Sequence, residues 1–176
     1  MKLIIMKILN PILPKKFDEN EIYTIVVTVL VITVLFVLHK HYRKLTTIEL
    51  FSVYLFNIFL ATTLESLFAE HPLDMYDTMD FAHAEIFDLI LQSFTYPASL
   101  VIIIHFYKKW KPNLVVFILG TACILTFLEW ISLFFNLFQY RGWALYYSFL
   151  FYIFIAAING VFFRGISKVK KRRSTY

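Results

Sequence analysis

Charged residues retreat from this chain in five long stretches. Residues 22–38 carry no acid, lysine, arginine or histidine, and residues 50–64 are equally clear, with the apolar run continuing through Glu65 to residue 69. Residues 89–107 hold His105 alone. Residues 112–128 hold none, with the run continuing past Glu129 to residue 138, and residues 142–163 hold none. A membrane-crossing helix needs about 20 mostly apolar residues. Backbone polar groups in lipid must be satisfied within the segment, so such runs are helices unless a barrel closes. A barrel would alternate polar and apolar residues in segments of about ten, and these runs do not alternate. The pattern predicts an all-α integral membrane bundle of about five transmembrane helices.

Composition agrees and narrows the alternatives. The 176 residues are 60% hydrophobic and 16% charged, against about 45–50% and about 25% in soluble domains. With 4 Gly and 5 Pro, the chain is neither disordered nor a many-turned β-protein. The single cysteine, Cys123, excludes an internal disulfide framework and any multi-cysteine metal site. No repeat or flexible linker divides the chain. Residues 1–21 are read as an N-terminal interfacial segment, 22–166 as the five-helix domain and 167–176 as a basic cytoplasmic tail. The first residues begin like a signal peptide, but Lys7 and Asn10 interrupt the apolar run and no small-x-small cleavage site follows. A short interfacial helix ending near Pro11 is the reading adopted.

The basic residues orient the bundle. Lys40, Arg43 and Lys44 lie between the first two runs, and Lys108, Lys109 and Lys111 between the third and fourth. Arg164, Lys168, Lys170, Lys171, Arg172 and Arg173 follow the fifth, so twelve of the 17 basic residues fall on one side. The positive-inside rule puts this side in the cytoplasm, with the C-terminus, and the N-terminus outside. The membrane-adjacent cluster at 168–173 points to anionic headgroups rather than nucleic acid. Tyr107, Trp110, Tyr140, Trp143, Tyr146 and Tyr147 form aromatic belts near the helix ends.

Polar groups inside a span are the default functional candidates. In the third helix Glu85, Asp88, Gln92, Thr95, Tyr96 and Ser99 recur at helical spacing, on an arc of roughly 100°. Pro97 lies within this run and predicts a kink. In the fourth, Glu129 shares a face with Ser132 and Asn136, and its expected partner is Arg141, Tyr140 or a polar residue of helix three or five. In the fifth, Ser148, Tyr152 and Asn159 share a face, while Ala156 and Gly160 form a small-xxx-small pair for close packing. The second contributes Asn57, Thr62, Thr63 and Glu65 without one coherent face. The first offers Thr24, Thr28 and Thr33, whose hydroxyls can return to their own backbone, and belongs at the lipid-facing edge. The candidate intramembrane polar site is therefore Glu85, Asp88, Gln92, Tyr96, Glu129, Asn136 and Arg141, as interhelical glue or as a path. Helices three, four and five are expected to form its polar centre.

The loop between the second and third runs is acidic, and from residue 45 to 107 there is no Lys or Arg. His71, Asp74, Asp77, Asp80 and His83 fall three apart, which invites a divalent-metal reading. On a helix that spacing winds around the axis, so a solvated loop free of positive charge accounts better for the same residues. No catalytic, cofactor-binding or metal-binding residue is assigned, and no cofactor is called for.

The pairs Tyr96-Pro97 and Glu129-Trp130, with Tyr140-Arg141-Gly142-Trp143, resemble a family of small multi-pass membrane proteins from low-GC, spore-forming Gram-positive bacteria. The resemblance implies a bacterial plasma-membrane location and brings no established activity. Three functional classes stay open. The first is a non-enzymatic accessory or membrane module, with the lipid bilayer and a second copy or another membrane protein as partners. The second is a proton or cation carrier or channel using helices three and four. The third is a membrane-embedded lipid-modifying enzyme. The orientation has a direct consequence: a C-terminal fluorescent protein should mature and fluoresce, while a C-terminal alkaline phosphatase fusion should be inactive. The reverse pattern would contradict the assignment.

Overall fold

The computed structural model describes residues 13–14, 16–69, 72–79 and 85–173, the last five by backbone alone. Five helices dominate: α1 (Glu19–His41), α2 (Thr47–Phe68), α3 (Ile86–Trp110), α4 (Leu114–Leu133) and α5 (Leu145–Arg173). All five are long and apolar enough to cross a membrane, which is compatible with a multi-pass membrane protein. Two short strands, β1 (Tyr76–Thr78) and β2 (Phe138–Tyr140), pair antiparallel in the register Tyr76↔Tyr140, Asp77↔Gln139, Thr78↔Phe138. They lie in the loops of the acidic end, opposite the basic end that gathers the loop lysines.

Local sequence sets the helix boundaries. Asp18 and Glu21 cap α1 reciprocally, and Thr46 and Glu49 do the same for α2, each box satisfying backbone donors that the first turn leaves open. Asn113 Oδ1 accepts from Val115 N at 3.0 Å to start α4, and Lys111 in the left-handed conformation (φ 50°) closes α3. The basic-end turns are consequently short and fixed. Two boundaries differ from the sequence reading. α4 stops at Leu133, so Asn136 sits in a loop at φ 51° rather than on the helical face of Glu129. α5 runs on to Arg173, so the basic residues expected in a tail from 167 begin as helix. Residues 1–12, the expected interfacial helix, lie outside the described residues.

The kink expected at Pro97 takes the form of a π-helical turn over Leu91–Thr95. Proline lacks an N–H and crowds the preceding turn, and a wider π turn relieves that crowding. In an ordinary helix the missing N–H would serve the Ser93 carbonyl; here the Tyr54 hydroxyl of α2 donates to it at 2.8 Å. The polar arc drawn with uniform spacing breaks at this turn. Asp88, Gln92 and Thr95 are buried, whereas Tyr96 and Ser99 are only partly so.

α3 is the hub, packing against α1, α2 and α5, while α4 packs mainly on α5. The expected centre of helices three, four and five is therefore rearranged: α2 replaces α4 beside α3, and α4 meets α3 near the basic end, where Tyr107 and Phe117 lie 4.3 Å apart. α1 stays at the edge with most of its apolar side chains exposed, yet Thr28 bonds Thr95 of α3 at 2.7 Å instead of its own backbone. Gly160 does what its spacing implied. A Cβ there would stand 2.9 Å from Leu114 Cδ1 and 3.4 Å from Phe117, so the glycine lets α4 close on α5.

Midway along the bundle, Asn57 and Asn159 tie α2 to α5 through two reciprocal bonds. Asn57 Nδ2 donates to Asn159 Oδ1 at 2.7 Å, and Asn159 Nδ2 donates to Asn57 Oδ1 at 2.9 Å. Each amide also donates to the carbonyl four residues back, Val53 and Ile155. Both residues are about 1% exposed, and neither leaves an amide atom unused. A double-mutant cycle with Asn57→Leu and Asn159→Leu should show a coupling of about 1 kcal/mol in detergent unfolding. The double variant should lose less than the two single losses added together; strict additivity would mean that the pair does not act as a unit.

Candidate functional site

The polar residues of the acidic end are organised by the two-stranded ribbon. β1 and β2 each send a tyrosine hydroxyl to a helix carboxylate. Tyr76 donates to Glu65 Oε2 of α2 at 3.1 Å, with Thr78 donating to Oε1 at 2.7 Å. Tyr140, the register partner of Tyr76, donates to Glu129 Oε1 of α4. The same oxygen accepts from Ser148 of α5 at 2.6 Å, and the Trp143 indole N–H donates to that serine at 2.7 Å. A carboxylate removed from water needs hydrogen-bond donors, and these hydroxyls supply them. Glu129 is 8% exposed and Ser148 1%.

The ribbon is itself fastened. The Met75 carbonyl accepts from the backbone N–H groups of Arg141, Gly142 and Trp143 at 3.0, 2.9 and 3.1 Å, and Met79 N donates to Leu137 O at 2.9 Å. Met79 is fully buried at φ 65°, a left-handed conformation unusual for a long side chain. It packs with Leu91 and Leu137 beneath the ribbon. On the outside, Arg141 spans to Asp74 (2.7 Å) and Asp77 (2.6 Å).

The seven candidate residues divide accordingly. Asp88 accepts from Gln92 Nε2 at 2.7 Å on the inner side of α3, and Glu85 is fully buried at the N-cap of that helix. Tyr96 packs against the Met79 cluster, its hydroxyl without a hydrogen-bond partner among the described residues. Glu129 is met by Tyr140 and Ser148, two of its expected partners. Arg141, the third, is taken by Asp74 and Asp77, because the ribbon turns it outward. Asn136 points away from the cluster and donates to Glu19 at the start of α1. Glu65, Tyr76 and Thr78 were missing from the candidate set, since nothing in an irregular-looking loop announces a strand that folds back over α2.

Burial and charge act together on the ribbon tyrosines. Desolvation, then the charge of Glu65 and the hydrogen bond to it, push the Tyr76 hydroxyl well above its ordinary pKa, with further contributions from Glu129 and Asp88. Glu65 meets that phenol through a hydrogen bond, and Glu129 and Asp88 act on it through charge alone. Burial, followed by the bond to Glu129, raises Tyr140 in the same way. Both phenols stay protonated and remain donors through the physiological range. Among the described residues no three His, Cys, Asp or Glu side chains come close enough to hold one metal ion. Of the residues in the metal reading, His71, Asp80 and His83 lie outside the described residues, while Asp74 and Asp77 are committed to Arg141.

Compared with protein-family models, with curated proteins and with solved structures, the chain finds no match. Its site is therefore defined by geometry. Glu129→Leu strips the acceptor from Tyr140 and Ser148 and should destabilise the protein by about 1–3 kcal/mol. Glu129→Gln retains a carbonyl acceptor and should cost less. Equal unfolding midpoints for the two variants in detergent would show that the clasp carries no stability.

Proposed function

We propose that this chain is a non-enzymatic, multi-pass module of a bacterial plasma membrane, its N-terminus outside and its basic end in the cytoplasm. One observation carries the reading. The acidic-end carboxylates of α2 and α4 are engaged by hydroxyls from the ribbon, Tyr76 and Thr78 on Glu65 and Tyr140 on Glu129, with Ser148 of α5 also on Glu129, so they act as fasteners that hold two loops over the helices. Large apolar side chains on α1 and α4, such as Val29, Phe36, Val116 and Phe127, are exposed. A bilayer covers such faces, and a second copy or another membrane protein could share them.

A proton or cation carrier is the second reading. It is favoured by the burial of Asp88 and Glu129 within helices long enough to cross a membrane, with Tyr96 packed nearby on the Met79 cluster. The two readings separate in proteoliposomes loaded with a pH-sensitive dye. The module reading expects an imposed proton or potassium gradient to decay no faster than in empty vesicles, for the native chain and for Asp88→Asn and Glu129→Gln alike. A faster decay in the native chain that either substitution abolishes would transfer the function to the carrier.

A further inference from the structure

Between α3 and α4 the acidic end is filled by the ribbon rather than by a helix contact. The two helices meet near the basic end, where Tyr107 and Phe117 lie 4.3 Å apart, while α4 packs mainly on α5. Toward the acidic end, Met79 and Leu137 of the ribbon loops pack on Leu91 of α3, with Tyr96 and Phe138 against them. On the other side Tyr140 bonds Glu129 of α4, and Leu137 N donates to the Ser132 carbonyl at 3.2 Å. The ribbon is a wedge. Its parts are bound into one body by the strand pairing, by the Met75 carbonyl with its three N–H donors, and by the Arg141 bridge to Asp74 and Asp77.

Two further observations bear on this wedge. Among the described residues four non-glycine residues have positive φ, and three of them flank its strands. Asp74 (43°) and Met79 (65°) stand on either side of β1, and Asn136 (51°) stands ahead of β2. Strained backbone of this kind persists only where its surroundings enforce it, and it gathers at switching segments. A two-stranded pair this short is marginal by itself, so contacts with the helices do the enforcing. Those contacts are exchangeable. Glu65 and Glu129 accept from the neutral hydroxyls of Tyr76, Thr78 and Tyr140, and water replaces a hydroxyl donor at little cost. At the basic end the buried Glu49 takes the Lys108 ammonium instead, and parting that pair leaves a buried charge alone.

We propose that the ribbon is a movable lid, which lifts from between α3 and α4 as one unit and bares Glu65 and Glu129 to water and to cations. The room they enter is the ribbon's own volume, vacated by Tyr76, Met79, Leu137 and Tyr140. Asp74, Met79 and Asn136 are the pivots, and relaxing their backbone offsets part of the packing that lifting gives up. The helices stay together meanwhile, because α4 is held to α5 at Gly160 and to α3 at Tyr107, both near the basic end. Units of low local stability open in this way without the rest of a protein unfolding. For the cations that enter, the proposal rests on the carrier reading; the movement itself does not, and it is read without flux.

The test uses the full chain in neutral detergent, carrying Cys123→Ser and one new cysteine that a water-soluble maleimide reads. Ser148→Cys puts the thiol beside Tyr140 on Glu129, and Val53→Cys puts it in the basic-end core; the two positions are 1% and 0% exposed. Well below the unfolding midpoint, Ser148→Cys should react at least about tenfold faster than Val53→Cys. Adding Tyr140→Phe should raise the Ser148→Cys rate by about tenfold, the effect of one hydrogen bond to a charged group. Met79→Ala should raise it further. Ile104→Ala, an equally buried deletion in the basic-end core, should lower the unfolding midpoint about as much as Met79→Ala yet leave that rate nearly unchanged. Hydrogen exchange gives a second reading without any cysteine. The amides of Met79, Arg141, Gly142 and Trp143 should exchange together, ahead of those of α4 and α5, and Met79→Ala should speed them as a group. Equal rates at the two cysteines would overturn the lid, as would an Ile104→Ala effect equal to that of Met79→Ala, or ribbon amides no faster than helix amides. In proteoliposomes Met79→Ala should also speed the decay of an imposed cation gradient. Labelling as expected without flux would keep the lid and remove the carrier; flux without the labelling difference would keep the carrier and remove the lid.

Discussion

The architecture turns on the need of a buried carboxylate for hydrogen-bond donors. Glu49, Glu65 and Glu129 each lie near the end of an apolar helix, where an ionised oxygen without a partner would cost several kcal/mol. Each is met differently. Glu49 takes the backbone and hydroxyl of Thr46 and the ammonium of Lys108, closing α2 onto α3. Glu65 and Glu129 take hydroxyls from a ribbon that neither helix contains. Their demand gives two otherwise unremarkable loops a fixed course, since Tyr76 and Tyr140 must both arrive with their hydroxyls facing the helices. Cross-strand register supplies that condition, because the two tyrosines are direct partners.

The same principle explains why α3 holds the centre. Its proline removes a donor and its π turn exposes backbone acceptors, deficits that lipid would leave unmet. Tyr54 from α2 and Thr28 from α1 approach at the level of this turn, one bonding the Ser93 carbonyl and the other Thr95. The helix with the most broken backbone is therefore the one most fully surrounded, with half of its apolar window buried. α4 and α1, whose backbones are regular and whose surfaces are mainly aliphatic and aromatic, ask for less and stand at the edges.

Much of this was legible in the residues. Runs of about 20 uncharged residues fix five helices because the bilayer admits little else, and the burial of Asp88, Gln92 and Glu129 follows from the cost of leaving them in lipid. Their partners were harder to read. Hydropathy places residues along the membrane normal but says little about which helix stands beside which, so α2 was underrated: Tyr54 was not counted among its polar residues. Tyr54, Asn57 and Glu65 answer three different neighbours at three depths. The ribbon was illegible for another reason. Its strands are three residues long, too short for alternation to register, and their stability comes from the carboxylates below rather than from propensity.

The two ends of the bundle therefore handle charge in opposite ways. At the acidic end, carboxylates in the helices meet neutral hydroxyls, and Arg141, the one basic residue between α4 and α5, is turned outward onto Asp74 and Asp77. The loops there are closed by bonds within the chain. At the basic end, the single acid is consumed by Lys108, and the cations that remain are separated by short, capped turns that cannot fold back to shield them. Self-repulsion among fixed charges is relieved by counter-ions drawn from outside the protein. An end that satisfies its own polar groups is closed by its own chain, and an end with surplus cations leaves that charge to counter-ions outside it. The asymmetry of loop charge that the positive-inside rule reads is thus also a difference in how each end satisfies its polar groups.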